Sequence, residues 1–182
     1  AKGGMSIHTY LCELAGRKAP GESGVMALDW WNGNRSILMD QTLTGTLVGL
    51  TLATRPEDIY RALIEATAFG TRIIVEQYER GGLPIRRIMA AGGIARKNSM
   101  MMQIYADVLN RPIEVSVAAQ SGALGSAIYA AVAGGVSPSV PQAAERMAAK
   151  VERVYTPDHK AVEAYNRMFA RYKELHDFFG KR

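Results

Sequence analysis

The residues most suited to chemistry are Ala90-Ala91-Gly92-Gly93-Ile94-Ala95-Arg96-Lys97-Asn98, where an apolar run meets paired glycines just before a helical pattern. In open α/β sheets, ligands sit beyond the carboxyl ends of strands. Glycine lets backbone approach a nucleotide without a Cβ clash, and helix N-terminal amides favour anions. Asn98 carries both a donor and an acceptor, which matches the mixed edge of adenine. A structural reading is equally open: Gly92 and Gly93 make a tight turn and Asn98 caps the next helix. The segment is neither a dinucleotide fingerprint nor a P-loop, since the required glycine spacing and Gly-Lys-Ser/Thr are absent.

Other polar and aromatic residues favour structural roles. Met100-Met101-Met102 cannot share one helical face and reads as packing, while Gln103 and Asp107, four apart, read as a helix-stabilising pair. Trp30 and Trp31 could stack on a sugar, but beside Asn32-Gly33 they fit better as loop anchors. Nothing in the spacing brings Asp29 to a hydroxyl it could deprotonate. Cys12 is the single cysteine and reads as a small buried residue.

Positioning these groups requires an α/β framework. Short strands are expected over 25–30, 45–50, 87–91 and 112–117, and helices over 6–15, 54–80, 98–109, 121–133, 141–150 and 158–179. Thr54-Arg55-Pro56-Glu57 fits a capping box with proline in the first turn. The strand, helix and strand over 87–117 make a β-α-β unit. The short connection between the first two strands implies a mixed sheet, and the alternation implies helices on both faces.

With 182 residues, 48% of them hydrophobic, the chain is sized for one domain: a helix and loop lead-in over 1–24, the body, and a helical tail over 141–182. The formal charge of +5 is spread among both signs, which argues for an anionic small ligand and against a nucleic-acid surface. A lone cysteine, no zinc spacing, no bilayer-length apolar run and no signal peptide point to a cytoplasmic protein without a membrane anchor. The first residue is Ala1 rather than Met, as expected of a fragment.

Three blocks together resemble the FGGY carbohydrate kinases. The stretch 92–109, with Asn98, Gln103, Ala106 and Asp107, is similar to the family's adenosine motif. Gly45-Thr46-Leu47-Val48-Gly49-Leu50, followed after seven residues by Asp58-Ile59-Tyr60-Arg61-Ala62-Leu63-Ile64-Glu65, resembles its C-terminal signature. Ser121-Gly122-Ala123-Leu124-Gly125-Ser126-Ala127 looks like the helix start beside its nucleotide cleft. The blocks keep the family's order across 25–132, and Asp29-Trp30-Trp31-Asn32-Gly33-Asn34-Arg35 is most similar to the ribulokinase branch.

The resemblance implies one lobe of an actin-like, ribonuclease H-like ATPase fold, a mixed sheet covered by helices and lacking its first strands. It implies ATP or ADP as ligand with Mg²⁺ bound alongside, Gly92 and Gly93 against ribose or phosphate, and Asn98 on adenine. Family members commonly have one residue fewer between the second glycine and that asparagine. The phosphate loop, most sugar contacts and the catalytic aspartate belong to segments not recognisable here, so no catalytic residue is assigned and the isolated chain is expected to be inactive. An incomplete lobe would expose apolar surface, to be covered by the absent portion or by self-association into a homo-oligomer. A non-catalytic nucleotide-binding module is the alternative; a dehydrogenase domain is disfavoured for want of a glycine-rich loop with a downstream acid.

Overall fold

The computed structural model describes residues 4–148 and 150–181. Expectations placed on residues 1–3 and 182, and on residue 149 near the end of the helix expected over 141–150, lie outside the described residues.

Twelve elements follow in chain order: α1 (Ile7–Gly16), β1 (Met26–Leu28), β2 (Thr46–Val48), α2 (Pro56–Arg80), β3 (Ile88–Ala90), α3 (Gly93–Lys97), α4 (Ser99–Leu109), β4 (Ile113–Ser116), α5 (Ser121–Ala133), α6 (Val140–Met147), β5 (Val151–Tyr155) and α7 (His159–Gly180). Local chemistry explains most boundaries. Ser6 caps α1 by accepting from the Thr9 N–H at 3.1 Å, and Asp158 caps α7 by accepting from Lys160 N–H at 2.8 Å. The N-cap of α2 is Arg55, one residue later than the expected Thr54. The Asp58 carboxylate accepts the Arg55 N–H at 2.9 Å, while Thr54 Oγ1 accepts from Thr51 N–H in the preceding turn.

The strands form two separate ladders. β1 and β2 pair antiparallel, and β3-β4-β5 is a mixed sheet in which β3 is parallel and β5 antiparallel to β4. The mixing therefore arises from β5, not from the first two strands as expected. α3 and α4 cover one face of this sheet, with Ala95, Met102, Ala106 and Leu109 against Ile113 and Val115. On the other face Met89, Glu114 and Val154 stand in register, with Met89 and Val154 exposed. Helix cover on both faces, expected from the alternation of elements, is thus corrected to cover on one face of this sheet among the described residues.

The larger core lies between β1, α2, α4 and α7, where Leu28, Phe69, Val108, Tyr165 and Tyr172 are sealed from solvent. It contains one buried ionic knot. Arg61 donates to Glu65 Oε1 at 2.7 Å, to the Ala15 carbonyl at 2.9 Å and to the Tyr165 hydroxyl at 2.8 Å. Tyr165 in turn donates to Glu65 at 3.0 Å. Burial pushes the Glu65 carboxyl upward, with Arg61 and Tyr165 opposing the shift. All three guanidinium nitrogens of Arg61 and the Tyr165 hydroxyl are engaged, so the knot fixes α1 and α7 on α2. By contrast α5, apolar in composition, has no buried residue.

Candidate functional site

The structure brings α1 across the β3–α3 turn and the start of α4, opening a cleft of about 1040 Å³. Gly93, Ile94, Lys97 and Asn98 line one wall, His8, Thr9, Cys12 and Glu13 the other, and Tyr60, Leu63, Thr67 and Trp31 also border it. Gly93 and Asn98, singled out from sequence, therefore share one cavity. Gly92 does not line it; at φ +94° it is the pivot that turns the chain out of β3. Such a φ favours glycine, so this residue is required by the backbone itself.

Gly93 differs. Its φ is ordinary, and a Cβ built on it would meet nothing within 4 Å. No internal contact demands glycine there. What its missing side chain leaves is unobstructed backbone at the wall of the cleft.

The turn does not feed directly into the helix expected over 98–109. A five-residue helix, α3, intervenes, and Asn98 stands at the junction as C-cap of α3 and N-cap of α4. So short a helix aligns little more than one turn of peptides, and the case for anion binding at a helix dipole weakens accordingly. Asn98 does cap: its Oδ1 accepts the Met101 N–H at 2.9 Å. It also accepts from Cys12 Sγ at 3.4 Å. Its Nδ2 makes no hydrogen bond to another described residue. The mixed donor and acceptor edge expected from sequence is thereby reduced to a donor.

Sequence reasoning missed the whole α1 wall and took Cys12 for a small buried residue. The thiol is half-buried on the cleft, and burial first, then the Glu13 charge, raises its pKa. The available signal was periodic: His8, Thr9, Cys12, Glu13 and Gly16 recur at helical spacing and form one face.

The remaining candidates fall away from this cleft or act structurally. Gln103 Nε2 donates to Asp107 Oδ1 and to the Thr156 carbonyl, each at 2.8 Å, while Asp107 accepts the Asp158 N–H at 2.8 Å. Together they clamp α4 to the start of α7. Met102 is buried, and Met100 and Met101 pack against the core. Trp30 is buried edge-on against His176, with ring centroids 5.3 Å apart. Trp31 is 59% exposed and stacks over Gly45, where a Cβ would strike its ring. Asp29 borders a second cavity of about 530 Å³ with Tyr172 and His176, accepts from the Tyr172 hydroxyl at 3.4 Å, and has its pKa raised by burial.

Among the described residues no group of three or more His, Cys, Asp or Glu side chains could hold a metal ion. Among the described residues no helix is long and apolar enough to cross a membrane.

The parallel β3–β4 pair with its helical crossover, the glycine turn after β3 and the cleft beside that turn define an α/β lobe. Residues 6–134 match the C-terminal domain of the FGGY family of carbohydrate kinases, and the chain belongs to that family. It is 50% identical over 182 residues to a ribulokinase of Bacillus licheniformis, covering 98% of this chain and 33% of that protein. The chain thus spans about a third of the length of the curated relatives it matches. Among solved structures, a xylulose kinase from Rhodospirillum rubrum superposes with a TM-score of 0.78 at 30% identity, over 99% of this chain and 36% of that one. A ligand-bound xylulose kinase from Lactobacillus acidophilus gives 0.82 at 24% identity, over 95% and 35%, and supports the fold. The one-lobe α/β architecture with a mixed sheet, expected from sequence, is the fold these kinases share.

Proposed function

We propose that this chain is the adenosine-binding C-terminal part of an ATP-dependent sugar kinase whose complete form phosphorylates L-ribulose. The ribulokinase relatives, matched across nearly the whole of this chain, support the sugar. The observation that carries the nucleotide is the cleft itself: Gly93 offers bare backbone that no internal contact requires, and Asn98 on the same wall has an unengaged amide donor. Gly92 sets the turn that presents its neighbour, Gly93 lies along the ribose and phosphates, and Asn98 meets the adenine.

Phosphoryl transfer is mostly positioning and charge stabilisation, and it needs a base and a metal near the γ-phosphoryl group. Mg²⁺ that accompanies a nucleotide is held by its phosphates, waters and one or two carboxylates rather than by a cluster of protein ligands, and no such cluster occurs among the described residues. We therefore assign Mg²⁺ to the nucleotide phosphates and the rest of the protein, and catalysis to the complete kinase in the cytoplasm. The chain alone binds nucleotide without transferring phosphate.

Titration calorimetry of the 182-residue chain with ADP and ATP tests this reading. Heat that saturates, and that falls about tenfold or more in apparent affinity on Asn98→Ala as a charge-free but essential contact is lost, is the expected result. A chain folded by circular dichroism that gives neither heat nor competition with either nucleotide would overturn it.

A further inference from the structure

The contact between Cys12 and Asn98 joins the two walls of the cleft across 86 residues of sequence. Asn98 Oδ1 receives two donors, the Met101 N–H at 2.9 Å and the Cys12 thiol at 3.4 Å. An amide oxygen offers two lone pairs, so this one is filled. The Met101 N–H, which can only donate, also decides which end of the amide is oxygen, because a flipped amide would set its NH₂ against it. The NH₂ end is left as the group with capacity to spare, on a residue that lines the cleft.

Met101 alone would cap the helix and leave one lone pair free. In that state Asn98 could both donate to a base and accept from its exocyclic amino group. The thiol removes the second option. It keeps the proton it donates, because burial and the neighbouring Glu13 charge disfavour the thiolate.

We propose that Cys12 is a positioning residue of the nucleotide site: by filling the second lone pair of Asn98 Oδ1 it makes Asn98 a pure donor, matched to an acceptor ring nitrogen of the base rather than to its amino group. This rests on the nucleotide reading above and adds a hydrogen-bond polarity to it. A cysteine serving only as packing would be replaced by alanine with no effect on the amide. One serving as a donor would be replaced by serine, whose hydroxyl can make the same bond.

The test uses the full 182-residue chain as wild type, Cys12→Ala, Cys12→Ser and Asn98→Ala. Side-chain ¹⁵N–¹H spectra without nucleotide come first, with the Asn98 NH₂ pair identified by its loss in Asn98→Ala. That pair should shift in Cys12→Ala and return toward its original position in Cys12→Ser. Calorimetry with ADP should then show about a three- to fivefold weaker affinity for Cys12→Ala, as for loss of one modest hydrogen bond, and recovery to within about twofold for Cys12→Ser. Unchanged Asn98 signals and unchanged ADP affinity in Cys12→Ala, with Asn98→Ala still weakening ADP, overturn the positioning role while sparing the nucleotide reading. Absence of ADP binding by the wild type overturns the nucleotide reading. In that case the spectra still decide whether the thiol orients the amide.

Discussion

Two sets of glycines divide the molecule. In the β1–β2 region they are forced by neighbours: a Cβ at Gly49, where φ is +83°, would run into the Gly24 carbonyl oxygen, and one at Gly33 would strike the Gln41 backbone. At the β3–α3 turn, Gly93 has ordinary φ and empty space beside it. The first set is explained by the folded chain alone. The second is not, and it borders the larger cleft. A glycine that the fold does not need, facing a cavity, is the feature on which the proposed nucleotide site rests.

The largest effect should come from the forced set. Gly49→Ala places a side chain in the left-handed region against fixed backbone, and we expect it to cost about 3 kcal/mol, read as a lower urea midpoint with an unchanged slope. Gly93→Val should leave the midpoint within about 0.5 kcal/mol of wild type yet weaken ADP binding about tenfold, or ~1.4 kcal/mol. A destabilisation by Gly93→Val comparable to that of Gly49→Ala would erase the distinction, since it would show that the fold requires both.

Much of the fold was legible because its determinants are local. Proline at the start of α2, the Asp158 cap of α7 and the small-residue run of α5 lie within a few residues of the boundaries they set. The β-α-β unit over β3, α4 and β4 followed from apolar spacing. What stayed hidden is non-local. Nothing near Val151–Tyr155 announces that it pairs antiparallel with β4, and the single turn of α3 is too short for a period to show. At the site, Gly93 and Asn98 stood out through their neighbours in sequence. Cys12 and His8 belong to it through long-range contacts that hold α1 in place, among them the Arg61 bond to the Ala15 carbonyl and the His8–Tyr60 ring contact.

The smallest effect concerns whether the β1–β2 region holds a ligand group of its own. Asp29 is buried enough that its carboxyl pKa is raised above the ordinary 3.8, with its own backbone N–H, the Tyr172 hydroxyl and the His176 charge only partly offsetting burial. In the acid range between its unfolded and folded values the native state therefore binds more protons than the unfolded state, and stability contributed by this group falls as pH rises through that window. Above the window the full penalty of holding the charged form is present. Asparagine has the same shape, carries no charge and can still accept from Tyr172. Asp29→Asn should thus be more stable than wild type at pH 7, and the difference should shrink toward zero below about pH 3.8, the unfolded value. Urea midpoints at pH 3.5 and pH 7 measure it. A variant less stable at pH 7, with a gap that widens as pH rises, would mean that the carboxylate is favoured in its charged form. The cavity beside Trp30 would then share with the cleft a polar group kept for more than the fold, and the division drawn from the glycines would fail.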